Sequence, residues 1–97
     1  MTRDEAIRRA QRAREILEDD LVREVLAEMQ AGLFSEWQGT RVGETVERER
    51  LYMLHCAVKD FETRFKGIIE TGKVAQHRID QERLEAEAER LEPREDE

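Results

Sequence analysis

Cysteine, proline, glycine and aromatic residues are all scarce in this 97-residue chain. It has one cysteine, one proline and five glycines, and aromatic side chains make up 5% of the residues. A single cysteine, Cys56, excludes an internal disulfide framework. No stretch approaches the roughly 20 apolar residues of a membrane-spanning helix, and no apolar run opens the chain, so we expect neither a membrane partner nor a secretory signal. These absences predict a cytoplasmic protein.

Motifs for catalysis and for metal or cofactor binding are also missing. Zinc sites need ligands at paired spacings such as C-x2-C, whereas the ligand residues here are Cys56, His55 and His77. Consecutive helix residues point about 100° apart, so His55 is poorly placed to activate Cys56. Gly39 and Gly43 lack both the Lys-Ser/Thr and the strand of a phosphate-binding loop. We therefore expect no enzymatic activity, no cofactor, no metal and no small-molecule substrate.

The chain is instead rich in charged and helix-forming residues. Charged side chains are 42% of the sequence, and alanine, leucine, glutamate and arginine, which favour helices, dominate. No segment shows the alternation typical of a strand. The regular placement of leucine, isoleucine, valine and phenylalanine argues against disorder. These features predict an all-α fold in one small domain over residues 1–92.

Capping signals and apolar periodicity divide this domain into helical segments. We predict helices over about residues 3–18, 20–38, 45–71 and 73–92. Thr2 and Glu5 fit a capping box at the first start. Asp19 predicts either a kink or a junction of two helices, because an aspartate there could cap a new helix. Gly72 is expected to end or loosen the third helix, and residues 93–97 are predicted to form a disordered acidic tail.

One apolar pattern outranks all others. Its members are spaced 3-4-3-4-3, which is the seam of a helix that must be buried against another helix. They are Leu51, Leu54, Val58, Phe61, Phe65 and Ile68. The helix containing residues 22–37 carries a matching stripe. The sequence therefore predicts a long antiparallel helical hairpin, packed like a coiled coil, with additional N-terminal and C-terminal helical segments.

The seam helix has more apolar surface than one neighbour can cover. Residues 51–58 read Leu-Tyr-Met-Leu-His-Cys-Ala-Val, which is apolar nearly all round a helix. Either segments 1–18 and 73–92 fold back over this half, or a second subunit does. An exposed Trp37 favours the second subunit, because tryptophan is a frequent interface anchor. We predict a homo-oligomer whose interface contains Phe34, Trp37, Tyr52, Met53 and Cys56.

A basic cluster offers a different partner. Four arginines, Arg8, Arg9, Arg12 and Arg14, lie close together in the first predicted helix and could contact nucleic-acid phosphates. The cluster lacks interleaved aromatic residues and any helix-turn-helix pattern. The net charge of residues 80–97 is −6, which argues against a nucleic-acid clamp made by the whole surface. Two interpretations of this cluster therefore remain. The arginines contact DNA, or they form a solvated face that docks onto the acidic tail.

Several short segments resemble a pattern in short helical proteins of tailed bacteriophages and prophages, which tend to be encoded near head and DNA-packaging genes. The resemblance spans about residues 10 to 80 and is carried by residues 13–20, Trp37 with Thr40, residues 49–51 and residues 70–75. A two-helix, ring-forming core is also similar to the central oligomerisation domain of small terminase subunits. This chain lacks the N-terminal helix-turn-helix usual there, which argues against direct DNA recognition.

The resemblance implies a non-enzymatic assembly protein of phage head assembly or DNA packaging. It further implies a packaging or head protein as partner, the host cytoplasm as location, and an interface role for Trp37 and the seam. It transfers no other functional residue. Two alternatives remain: a nucleic-acid-binding regulator that uses the cluster from Arg8 to Arg14, and an adaptor or inhibitor that binds a host protein.

Overall fold

Three α-helices make up the fold. The structure is a computed structural model, and it describes residues 1–91. Helix α1 spans Arg3–Glu18, α2 spans Asp20–Gln38 and α3 spans Thr45–Leu91, with no strand among the described residues. The molecule is elongated and measures 85 × 27 × 21 Å. The predicted all-α fold class is confirmed.

Side-chain caps set the start of α1 and the junction between α1 and α2. Thr2 Oγ1 accepts a hydrogen bond from the Glu5 amide at 3.1 Å, and the Thr2 amide donates to Glu5 Oε2 at 3.2 Å, which is the predicted capping box. Asp19 has extended backbone angles, and its Oδ1 accepts from the Val22 amide at 3.0 Å. Asp19 therefore ends α1 and caps α2, so two separate helices meet at this residue.

Helix α3 is continuous over 47 residues, which gives a rod about 70 Å long. The predicted break between residues 71 and 73 is wrong. Gly72 is buried within α3, and a Cβ there would lie 2.1 Å from the Cβ of Ala10 and 3.0 Å from the carbonyl oxygen of Ala6. Glycine permits the close approach of α1 at this point. The residue expected to end a helix is instead a packing contact.

Helix α1 packs along the C-terminal half of α3 through small side chains. The buried residues of this contact are Ala6, Ala10 and Ala13 of α1 and Gly72 and Ala75 of α3. Near the start of α1, Arg3 Nη1 donates to Glu82 Oε2 at 2.6 Å. Because Ala10 meets Gly72 while Arg3 meets Glu82, α1 runs in the direction opposite to α3.

Helix α2 covers only one edge of the predicted seam. Leu51 and Val58 are 2% and 6% exposed, whereas Leu54 and Phe61 are 41% and 44% exposed. The prediction that α2 buries the whole seam is therefore wrong at Leu54 and Phe61. These two side chains line an open groove between α2 and α3 rather than a closed contact.

A short loop, residues 39–44, joins α2 to α3. The Arg41 amide donates to Glu44 Oε1 at 3.2 Å, and the Glu44 carbonyl accepts from the Arg48 amide at 3.0 Å. This local network turns the chain so that α3 starts at Thr45 and passes beside α2. The side chains of Gln30 and Glu62 are joined by a hydrogen bond of 2.9 Å farther along the two helices.

Two predictions concern the ends of the chain and its relation to membranes. The predicted disordered acidic tail, residues 93–97, lies outside the described residues. None of the helices in residues 1–91 combines the length and the apolar composition that crossing a membrane requires.

Candidate interaction site

An open apolar groove runs between α2 and α3 and has a volume of about 990 Å³. We call it the α2–α3 groove. Its main apolar wall residues are Leu21, Val25, Met29 and Gly32 of α2 and Leu54 and Phe61 of α3. Two carboxylates of α2, Glu28 and Glu36, also line it. The groove therefore combines a long apolar floor with an acidic edge.

Large apolar side chains of this groove are in contact with solvent. Leu21 is 66% exposed and Met29 is 48% exposed, and they join the half-exposed Leu54 and Phe61 along the same groove. Single exposed apolar residues are normal on proteins, but a contiguous set marks an interaction surface. An elongated apolar groove between helices suits an amphipathic helix.

A smaller aromatic groove lies on the other side of α2 and has a volume of about 420 Å³. The Phe34 and Trp37 rings stack there with their centroids 6.2 Å apart. The guanidinium carbon of Arg48 lies 4.3 Å from the Trp37 ring centroid, a cation–π contact. Thr40 Oγ1 accepts from Arg48 Nη1 at 2.9 Å and donates to the Trp37 carbonyl at 2.6 Å. These contacts hold the indole at the loop end of the molecule.

The structure brings together three of the five residues predicted for the interface. Phe34, Trp37 and Tyr52 line the aromatic groove, and all three are exposed. Met53 and Cys56 are also exposed, but neither lines the aromatic groove or the α2–α3 groove. Cys56 lies one helical turn after Tyr52 and raises the pKa of the Tyr52 phenol, first through a side-chain hydrogen bond and then through its charge.

The basic cluster of α1 is divided between two faces. Arg8, Arg9 and Arg12 are exposed and are turned away from the alanines that contact α3, and Arg12 pairs with Glu15 at 3.2 Å. Arg14 is only partly exposed, and it lines a small cavity between α1 and α3 together with Lys73. The helix therefore presents three of the four predicted arginines on one solvent face.

Gly32 of α2 and Gly72 of α3 have different surroundings. A Cβ at Gly32 would meet no atom within 4 Å. The close contact is at Gly72 instead. The missed signal is the second apolar stripe of α2, where Leu21 and Val25 are spaced one turn apart and precede Gly32 on the same face.

Exposed ion pairs join neighbouring turns and the two ends of the chain. The hydrogen bond from Arg3, followed by the attraction of its charge, lowers the pKa of Glu82. In the same way Glu82 raises the pKa of Arg3. Arg50 lowers the pKa of Glu47 through a hydrogen bond, with Arg50 Nη2 2.7 Å from Glu47 Oε1. Such exposed pairs orient side chains more than they stabilise the fold.

Within residues 1–91 there is no group of three or more histidine, cysteine or acidic side chains placed to hold a metal ion. Comparisons with protein-family models, with curated proteins and with solved structures find no match to this chain. The two grooves and the arginine face are the candidate interaction surfaces of the described residues. Of these, the α2–α3 groove exposes the most contiguous apolar surface.

Proposed function

We propose that this chain is a non-enzymatic helical assembly protein that forms homo-oligomers through its exposed apolar surface. The observation that supports the proposal is the α2–α3 groove, in which Leu21, Met29, Leu54 and Phe61 are each more than two-fifths exposed. Removing apolar surface from water is favourable by about 25 cal/mol per Å². In this proposal α2 and α3 form the helical hairpin, α1 braces it, and another molecule covers the groove.

The test is the mass of the protein in solution as a function of concentration. Native mass spectrometry or light scattering at micromolar concentration is expected to give multiples of 11.5 kDa. Phe61→Glu places a charge in the groove and should shift the mass to that of one chain. Val74→Glu is the matched control, because Val74 is an exposed α3 residue outside the groove.

A protein that stays at the mass of one chain at every concentration would contradict the homo-oligomer proposal. That result would instead favour the adaptor or inhibitor alternative, in which Trp37 anchors a host protein. The arrangement of Phe34, Trp37 and Tyr52 around one exposed groove would then be the surface to test by substitution.

The setting that we propose is phage head assembly or DNA packaging, with an oligomer like the core of a small terminase subunit. This part of the proposal is supported by the resemblance of residues 13–20 and 70–75 and of the Trp37 region to phage proteins. The gene should lie beside head or packaging genes, and the protein should co-purify with a product of one of them. Unrelated neighbours and no such partner would contradict this setting.

A second candidate function is nucleic-acid binding by α1. It is favoured by the placement of Arg8, Arg9 and Arg12 on one exposed face. Retardation of duplex DNA in a gel should weaken steeply as salt is raised, because phosphate contacts release counterions. Arg8/Arg9/Arg12→Ala should abolish the retardation, whereas Arg83→Ala and Arg90→Ala on the far end of α3 should not. Retention of binding by the triple variant would exclude this face.

A further inference from the structure

We propose that the aromatic groove binds an acidic amphipathic helix of a partner protein. The apolar side of that helix packs against Trp37 and Tyr52, and its carboxylates lie against Lys59 and Arg48. This inference goes beyond the proposed function. It concerns the groove on the other side of α2, and it does not depend on self-association.

Apart from its rings, the aromatic groove is lined by basic or neutral polar side chains. They are His55 and Lys59 of α3 and Gln30 of α2. Among residues 1–91 no carboxylate lines this groove, although acidic residues outnumber lysine and arginine by 24 to 17 in the chain. The α2–α3 groove has the opposite character, since Glu28 and Glu36 line it. The charge of an acidic partner therefore matches the aromatic groove and not the α2–α3 groove.

Two basic groups stand at the ends of one stripe of α3. Residues spaced 4-3-4 share one face of a helix, and four residues of α3 follow this spacing. They are Arg48, Tyr52, His55 and Lys59. Arg48 lies at the Trp37 end of the groove, with its guanidinium carbon 4.3 Å from the indole centroid. From Arg48 to Lys59 the helix rises about 16 Å, so the stripe matches about three turns of a partner helix.

Arg48 has no charged partner among residues 1–91. Its contacts are with the Trp37 ring and with Thr40 Oγ1, and both of these groups are uncharged. A guanidinium has five N–H donors, so donors remain beyond the one that Thr40 accepts. A carboxylate of another molecule can therefore pair with Arg48 without displacing a carboxylate of this chain.

Lys59 also has no ion pair within the described residues. The two carboxylates within one helical turn of it are held by other groups. Asp60 accepts from Arg64 at 2.9 Å, and Glu62 accepts from Gln30 at 2.9 Å. The Lys59 ammonium is therefore open to a carboxylate of a partner.

The rings of the groove provide the apolar part of the contact. Phe34 stacks on Trp37, and Arg48 lies over the indole. Side chains that are fixed before binding lose less conformational entropy when a partner docks. Tryptophan and tyrosine are frequent anchors of interfaces, and a groove between helices is a common docking site for an amphipathic helix.

The test uses two designed peptides of about 18 residues, a length that can form a helix in water. Both carry leucines at every third or fourth position, and the flanking positions are glutamate in one peptide and lysine in the other. The emission of Trp37, the only tryptophan of the chain, reports whether a peptide covers the groove. The glutamate peptide should shift this emission to shorter wavelength at concentrations up to about 100 μM, whereas the lysine peptide should not.

A matched pair of variants of the full chain tests the role of charge. Lys59→Glu should weaken binding of the glutamate peptide at least about tenfold, because like charges across an interface are repulsive. Lys73→Glu makes the same charge change on the same helix, about 21 Å farther along, and Lys73 does not line the aromatic groove. It should leave the affinity unchanged. Fluorescence anisotropy of labelled peptide measures both affinities, and circular dichroism establishes that both variants remain helical.

Three results would overturn the inference. The glutamate peptide could leave the Trp37 emission unchanged, both peptides could shift it equally, or Lys59→Glu could bind the glutamate peptide as tightly as the wild type. An equal shift by both peptides would mean that apolar contact alone accounts for binding.

Phe61→Glu separates this inference from the proposed function. Phe61 lines the α2–α3 groove and not the aromatic groove, so this variant should bind the glutamate peptide as tightly as the wild type. Loss of binding in Phe61→Glu would place the peptide in the α2–α3 groove and overturn the inference. A wild type that stays at the mass of one chain would contradict the proposed function, whereas the peptide binding expected here would still be found.

Discussion

At the scale of single residues, the three glycines within helices have different surroundings. Gly72 is covered by α1, while Gly32 and Gly67 have open space where a Cβ would be. A glycine-to-alanine change in open space removes flexibility from the unfolded chain and favours the helix. The same change under a neighbouring helix forces the two helices apart. The surroundings of a glycine therefore decide whether its replacement by alanine raises or lowers the stability of the fold.

Gly72→Ala should lower the free energy of unfolding by about 1–3 kcal/mol, the usual range for overpacking a close contact. The cause is the 2.1 Å separation between the added Cβ and the Cβ of Ala10. Gly67→Ala, on the same helix, should raise the free energy of unfolding by about 0.4–1 kcal/mol. Urea denaturation followed by circular dichroism measures both. Stabilisation by Gly72→Ala would show that α1 does not pass over this residue.

Leu51→Ala should lower the free energy of unfolding by about 2–5 kcal/mol, the range for truncating a buried leucine. Phe61→Ala should have a smaller effect at protein concentrations low enough to keep the chain monomeric, because Phe61 is 44% exposed and Leu51 is 2% exposed. Denaturant unfolding of the two variants at nanomolar protein concentration shows which of them loses more free energy of unfolding. A larger loss for Phe61→Ala would mean that α2 covers the whole seam.

At the scale of helices, the start of α1 and the junction between α1 and α2 could be predicted from the sequence because side-chain caps set them. Thr2, Glu5 and Asp19 act on amides within three residues, so their effect needs no knowledge of distant contacts. The continuation of α3 through Gly72 could not be predicted in this way. Whether a helix continues through a glycine depends on what packs over it, and here that is Ala10, 62 positions earlier in the sequence.

The contact between the start of α1 and the end of α3 should depend on pH. Arg3 lowers the pKa of Glu82 in the folded state, so this carboxylate stabilises the fold above its unfolded pKa of about 4.3. That contribution is lost as the pH falls through the lower folded value. The thermal midpoint of the wild type should therefore fall more steeply on acidification from about pH 5 to pH 3 than that of Glu82→Gln. Parallel curves would show that the pair contributes nothing.

At the scale of the whole molecule, the aromatic part of the candidate site was predictable and the larger groove was not. Tyr52 was predicted to lie at an interface because residues 51–58 are apolar nearly all round the helix, and Trp37 because tryptophan is a frequent interface anchor. The structure places both beside Phe34 around one groove, and their interface role stays a prediction. The α2–α3 groove depends on how far α2 stands from Leu54 and Phe61. That separation is set by contacts between distant parts of the chain, which a periodic pattern does not encode.

If the chain self-associates, the thermal stability of the fold should depend on protein concentration. Ligands and partners that bind only the folded state raise its apparent stability by mass action. The melting temperature of the wild type should therefore rise with protein concentration, whereas that of Phe61→Glu should stay constant. Differential scanning calorimetry over a hundredfold range of about 1–100 μM covers the dissociation constants of ordinary weak complexes. A melting temperature of the wild type that is independent of concentration would contradict the assembly proposal.

Because α3 is continuous, the distance between two of its residues is set by the number of residues between them. From Ala57 to Leu91 the chain rises about 51 Å within one uninterrupted helix. The contact of α1 with Gly72 and Glu82 covers part of that length, and the residues after Glu82 extend the helix farther. Seven residues added to α3 after Glu82 would move Leu91 outward by about 10 Å.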